Sequence, residues 1–265
     1  MMRGILGKAA HVYPAYLLYA GGQRFLEDWR YHRLVRKNRL PLYYETPLHR
    51  LSNEIAYADM LRQLRDCCPW FPPVVYPVGG AAGYGLLYTL VRSLREQSFA
   101  NVLELGVGQT TTVLSAYSRF SGARVLSLEE NAFWADALAR QCGSELHRVS
   151  HAPLVQSARN TRWYDLRAVG GELPSGRVDL FLVDGPTGTR RVSRAGILDV
   201  FFDLCADEWL VFWDDVHRAG DLESFVLFLN EARARRTDVK VGFCTGAKTV
   251  GVAFTPKYSG VGHYF

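Results

Sequence analysis

The chain has 265 residues, of which 48% are apolar and 22% charged, a balance that excludes a disordered or fibrous polymer and suits one large α/β domain with an appendage. No apolar run approaches the ~20 residues that span a bilayer. The net charge of +5 is uneven: residues 1–50 hold nine Lys or Arg against three acids, a net of +6, which leaves −1 for the rest. That distribution argues against a nucleic-acid groove across the whole protein. It leaves a membrane surface, an acidic partner or a plainly solvated helix face for the basic segment.

Residues 1–79 read as a basic, helical extension. Leu17, Leu18, Phe25, Trp29 and Leu34 offer apolar anchors among the arginines of 12–36, a helix is expected over 53–65, and proline-bearing connections fall at 38–44 and 68–80. His11 and Pro14 interrupt the early apolar patch, so no secretory signal is read. Five cysteines without a C-x-x-C spacing suit reduced thiols in a cytoplasmic compartment. The expected location is therefore cytoplasmic, with peripheral contact at the inner membrane face left open through residues 1–50.

Residues 80–265 have a different rhythm. A helix is expected over 84–95, a strand over 101–105 (NVLEL), a helix over 111–120, a strand over 124–128, a helix over 133–142 and a strand over 145–149. VDLFLV at 178–183 reads as a strand buried on both faces, followed by a helix over 194–206, a strand over 209–213 (WLVFW) and a helix over 222–235. Strands alternating with helices imply right-handed crossovers and a doubly wound, Rossmann-like parallel sheet. Two final runs, 239–245 and 249–255, are joined only by Gly246, Ala247 and Lys248, so they can pair only as an antiparallel hairpin. The fold class is thus α/β: a seven-stranded sheet of five parallel strands plus that hairpin.

In such sheets ligands bind beyond the carboxyl ends of the strands, where the strand order reverses. The first strand leaves through Glu104-Leu105-Gly106-Val107-Gly108-Gln109-Thr110, the second through Glu129, the fourth through Asp184-Gly185-Pro186 and the fifth through Asp214-Asp215. Gly106 and Gly108 allow a tight turn and close backbone approach. Glu129 lies near the offset at which an acid accepts ribose hydroxyls. A dinucleotide fingerprint would place glycine where Thr111 stands, and Glu104 disfavours an anionic pyrophosphate. S-adenosylmethionine, with its ammonium, sulfonium and ribose, suits these acids better.

Over residues 80–255 this ordered set resembles the class I S-adenosylmethionine-dependent methyltransferases. The resemblance implies that Glu104 and the Gly106/Gly108 turn, with Gln109 and Thr110, hold the methionine part. It places Glu129 on the ribose, Ser150, His151 and Ala152 at the adenine, and Asp184 beside the cofactor. Asp184 with Asp214 and Asp215 is further similar to the metal set of the catechol- and caffeoyl-type O-methyltransferases, with Asp215 in the place of their Asn. This implies Mg2+ or another divalent cation holding a substrate hydroxyl, with His217 taking its proton.

Other readings stay open. Asp214-Asp215 equally serve to cap the next helix or orient Arg218, Asp184 to meet the cofactor amine without a metal, and His217 to be structural. The arginines at 190, 191 and 194 suit an anionic substrate or a solvated face, and Trp163-Tyr164 a pocket wall or core. The expected activity is O-methylation of a small molecule or glycan. Its alternatives are a catalytically degenerate binding module docked to a membrane or partner, and an aminopropyltransferase-like enzyme, against which the arginines speak.

Overall fold

The computed structural model describes residues 22–42, 46–72, 75–76, 81–169 and 177–263. The chain forms two compact units, Met1–Leu40 and Pro41–Phe265. In the first, helix α1 (22–37) exposes Phe25, Leu26 and Trp29. The earlier part of the expected helical extension, with Leu17 and Leu18, lies outside the described residues. None of the described helices is long and apolar enough to cross a membrane.

The second unit begins with α2 (Pro47–Cys67), capped by Thr46, whose hydroxyl accepts from the His49 N–H. Leu61 and Leu64 of α2 join the core beneath α3 (Tyr84–Glu96), so α2 packs as part of the larger unit. There follow β1 (Asn101–Leu105), α4 (Gln109–Ser121), β2 (Arg124–Glu129), α5 (Ala132–Cys142), β3 (His147–His151), β4 (Leu154–Gln156), β5 (Arg162–Tyr164) and β6 (Val178–Val183). A 3-10 turn (Ala195–Asp199) and the single-turn α6 (Phe201–Leu204) lead to β7 (Cys205–Trp213), α7 (Ala219–Arg235), β8 (Lys240–Thr245), β9 (Thr249–Phe254) and a final 3-10 stretch (Pro256–His263).

Seven strands form one sheet in the order β3-β2-β1-β6-β7-β9-β8. β3, β2, β1, β6 and β7 are parallel, while β9 runs antiparallel to both β7 and β8. This is the doubly wound sheet with a terminal hairpin expected from the sequence. Alternation places Leu180, Leu182, Leu210 and Phe212 in the core with α2, α3 and α4. On β7 the next residue along, Trp213, packs on Phe225 and Phe228 of α7. Burial of both faces is why these strands read as unbroken apolar runs.

Three local expectations are corrected. The helix expected over 194–206 is broken: Arg194 has a left-handed backbone (φ 62°), and Gly196 packs so tightly under Trp163 that a side chain there would collide. β7 accordingly starts at Cys205. The third strand sits two residues later than expected, at His147–His151, which makes Ser150 and His151 part of the strand end. The small β4–β5 hairpin was not anticipated, because three-residue strands carry almost no periodicity.

Candidate functional site at the strand ends

The sheet reverses between β1 and β6, since β1 leads to β2 on one side and receives β6 on the other. Leu105 pairs with both Leu128 and Val183, and Val183 pairs with Trp213. The next residues, Glu129, Gly106, Asp184 and Asp214, therefore form one row just past the carboxyl ends of four strands. Main-chain bonds continue the ladder into this row: Gly106 N–H to Leu128 C=O (2.8 Å), Asp184 N–H to Leu105 C=O (2.9 Å) and Asp214 N–H to Val183 C=O (3.0 Å). The expected acids and glycines are thus brought together at the switch point.

Gly106 is required at its position. Its φ of +91° suits glycine, and a Cβ there would lie 2.8 Å from the Gly185 nitrogen. The turn after β1 therefore rests directly on the loop after β6, where Gly185 and Pro186 are joined by a cis peptide. Gly108 precedes α4 and donates its N–H to the Thr111 hydroxyl (2.8 Å). Gln109 accepts the Tyr76 N–H (2.8 Å), which fastens residues 75–76 to this turn.

Glu129 is only partly buried. One oxygen accepts the Val107 N–H from the glycine turn (3.1 Å), and the other accepts the Asn131 N–H (2.8 Å). Its neighbour Glu130 bonds the backbone and hydroxyl of Thr187 (backbone 3.0 Å), linking the β2 and β6 loops. Beside them on β3, Ser150 is partly buried, and His151 is exposed with its ring near the Glu130 carbonyl (3.2 Å).

Three residues assigned to the cofactor lie inward instead. Glu104 is wholly buried, its carboxyl bonded by Thr110 (2.5 Å) and Ser127 (2.6 Å). It supports the turn through the Thr110 and Ser127 hydroxyls. Thr110 is committed to that bond. Ala152 is wholly buried, and its N–H is donated to the Glu129 carbonyl (2.8 Å). Burial pushes the Glu104 pKa up to about 7. Ser127 also meets the Nε2 of buried His147 (2.8 Å), whose pKa burial pushes down to about 4.

The aspartates after β6 and β7 converge as expected: one oxygen from each of Asp184, Asp214 and Asp215 lies within 4.8 Å of the others. Their surroundings were not foreseen. Arg194, 4% exposed, reaches Asp184 (3.3 Å), Asp215 (3.1 Å), the Asp214 carbonyl (3.0 Å) and Asp221 (3.5 Å). Lys248 reaches Asp214 (3.4 Å) and Asp215 (3.6 Å), and Arg218 bonds Asp215 (2.7 Å) and Asp221 (2.8 Å). Four carboxylates thus meet three cations. Burial, with the charge of Asp214, holds Asp184 well above the usual carboxyl range, and burial likewise raises Asp214. For Asp215 burial acts in the same sense, but Arg194, Arg218 and Lys248 outweigh it and leave the group below its ordinary value. A hard dication entering here would compete with Lys248 and Arg194 for the same oxygens, so the residues as arranged do not fit one.

His217 is not placed as a base. Its Nδ1 accepts the Thr249 N–H (3.3 Å), which puts the ring proton on Nε2, and burial lowers its pKa to about 4. Two of the three arginines of the β6 loop are committed within the protein: Arg191 is bidentate to Glu223 (2.9 and 3.0 Å) and Arg194 bonds the aspartates, while Arg190 is exposed. Trp163 and Tyr164 are core residues, buried at 4% and 2% exposure. The sequence did not reveal the pairing of Arg194 and Lys248 with these aspartates. An arginine in an Arg-rich loop looks solvated and a lysine in a hairpin turn looks incidental; only the antiparallel return of β9 shows that Lys248 must arrive beside Asp214.

No family model matches the chain, and no curated protein matches it. Among solved structures it is similar to a Staphylococcus aureus protein assigned as a candidate caffeoyl-CoA O-methyltransferase, at 14% identity and a TM-score of 0.46 over 77% of this chain and 99% of that one. It is also similar to a human methyltransferase 10 domain containing protein (15%, 0.44, 77% and 96%). A third is the precorrin-6y C5,15-methyltransferase of Geobacter metallireducens (15%, 0.42, 63% and 85%).

Proposed function

We propose that the chain is an S-adenosylmethionine-dependent methyltransferase acting on a hydroxyl oxygen of a small molecule or glycan. The observation that carries this reading is the Glu129 carboxylate, held by the Val107 and Asn131 N–H groups beside the Gly106 turn at the switch point. A carboxylate there suits a ribose diol and repels a pyrophosphate. When bound, S-adenosylmethionine supplies an electrophilic methyl group on a sulfonium.

The chain's own residues do the rest. Gly106 and Gly108 admit the ligand close to the backbone, Glu129 takes the ribose hydroxyls, and Ser150 and His151 edge the base. Asp184 keeps a quarter of its side chain exposed (24%), whereas Asp214 is wholly buried, and its raised pKa makes it a stronger proton acceptor than an ordinary carboxylate. It takes the proton of the acceptor hydroxyl. One observation favours a second reading, aminopropyl transfer to a polyamine: Arg191 and Arg194 are paired with carboxylates, which lessens the loop's repulsion of a cationic acceptor.

The test is turnover. The full chain is incubated with methyl-labelled S-adenosylmethionine and pooled phenol, sugar and lipid-glycan acceptors, and in parallel with decarboxylated S-adenosylmethionine and polyamines. Labelled, base-stable methyl ether is expected, with Asp184→Asn losing at least tenfold in kcat while retaining S-adenosylhomocysteine binding. Aminopropylated product would select the second reading. Ligand binding without any turnover would leave a binding module.

A further inference from the structure

The turn that carries Lys248 is fixed from several sides. Glu54 of α2 accepts the Ala247 N–H (2.8 Å) and the Tyr84 N–H at the start of α3 (2.7 Å). Gly246 N–H donates to the Lys248 carbonyl (2.8 Å). On the far side Thr249 is held twice, its N–H by His217 (3.3 Å) and its carbonyl by the Val216 N–H (2.9 Å). A lysine side chain loses much rotamer entropy when fixed and normally stays in solvent. Here it is 21% exposed, and its Nζ stands 3.4 and 3.6 Å from Asp214 and Asp215. The hairpin turn thus delivers its terminal nitrogen directly onto the two carboxylates.

We propose that Lys248 is the resident cation of the strand-end aspartates, occupying the position in which a divalent ion was expected, and that this site works without a metal. Arg194 closes the same cluster from below, bonding Asp184 and Asp215. One oxygen of Asp214, buried and without a hydrogen-bond partner, is left over. A dication would need several oxygen ligands close around it, yet two of these acids already face an ammonium and two a guanidinium. The chain thus supplies by a hairpin what a bound ion would otherwise supply. The inference concerns the pocket of the proposed methyl transfer, but it is read from cation occupancy, so it can fail while cofactor binding stands, and the reverse.

The experiment is Mn2+ binding to the full chain by electron paramagnetic resonance and equilibrium dialysis. Wild type, Lys248→Met, Lys248→Gln and Lys248→Arg are compared, with thermal unfolding of each as the check on folding. Wild type and Lys248→Arg should show no saturable site up to about 1 mM metal, the weak end of protein dication sites. Lys248→Met or Lys248→Gln should bind at least tenfold more tightly than wild type, and adding Asp214→Asn should remove the gain. Saturable Mn2+ binding by the wild type that Asp214→Asn abolishes would overturn the proposal. So would folded Met and Gln variants that gain no affinity.

Discussion

Glu104, Ser127 and His147 form a buried chain in which exclusion of water sets the protonation of both ends. The imidazole of His147 ordinarily titrates at 6.5 and is brought down to about 4 by burial. As pH falls below 6.5 the unfolded chain binds the proton first, so stability falls until about pH 4, by at most about 1.4 kcal/mol per pH unit for one group. Glu104 acts in the opposite sense. Its carboxyl rises from 4.5 to about 7, so the folded chain takes the proton first and stability is gained as pH falls from 7 to 4.5. Urea unfolding across pH 4–7 should therefore show a shallower acid loss in His147→Gln than in wild type. An unchanged slope would mean that His147 is hydrated in solution. That Glu104 is wholly buried and bonded to Thr110 and Ser127 was illegible in sequence: an acid before a glycine turn looks the same whether it is exposed or enclosed.

At the scale of elements, the turn between β1 and α4 is the most constrained piece of the site. Its Gly106 combines a left-handed backbone with a Cβ direction blocked by Gly185. Gly106→Ala should cost at least about 1–2 kcal/mol in backbone strain alone. It should also push the turn off the β6 loop. Chemical denaturation is expected to show the loss, accompanied by weakened S-adenosylhomocysteine binding; full stability with intact binding would contradict the packing described. The glycines, the alternation of strands and helices, and the three-residue hairpin link were all legible, because each follows from local steric or length constraints. The break after Arg194 was not, because Gly196 is pressed against Trp163, a residue 33 positions earlier that meets it only in the fold. The partner of the His217 ring was illegible for the same kind of reason: the Thr249 N–H that meets its Nδ1 comes from β9.

For the molecule as a whole, strand order assembles the candidate site. Acids at the tips of β2, β6 and β7 become neighbours only because β6 returns beside β1 and β7 pairs alongside β6. The basic first fifty residues fall mostly in the smaller unit, so the near-neutral charge of the remainder belongs to the sheet that carries the crevice. Within that crevice the central claim is that Glu129 and the Gly106 turn bind a ribose-bearing, cationic methyl donor. Titration calorimetry of the full chain with S-adenosylhomocysteine tests it most directly. The account predicts one site per chain, and at least tenfold weaker binding for Glu129→Ala, since each charge-assisted hydrogen bond removed is worth about 1.5–3 kcal/mol. A wild-type chain that takes up no ligand at high micromolar concentration, or a Glu129→Ala variant that binds as well as wild type, would contradict it.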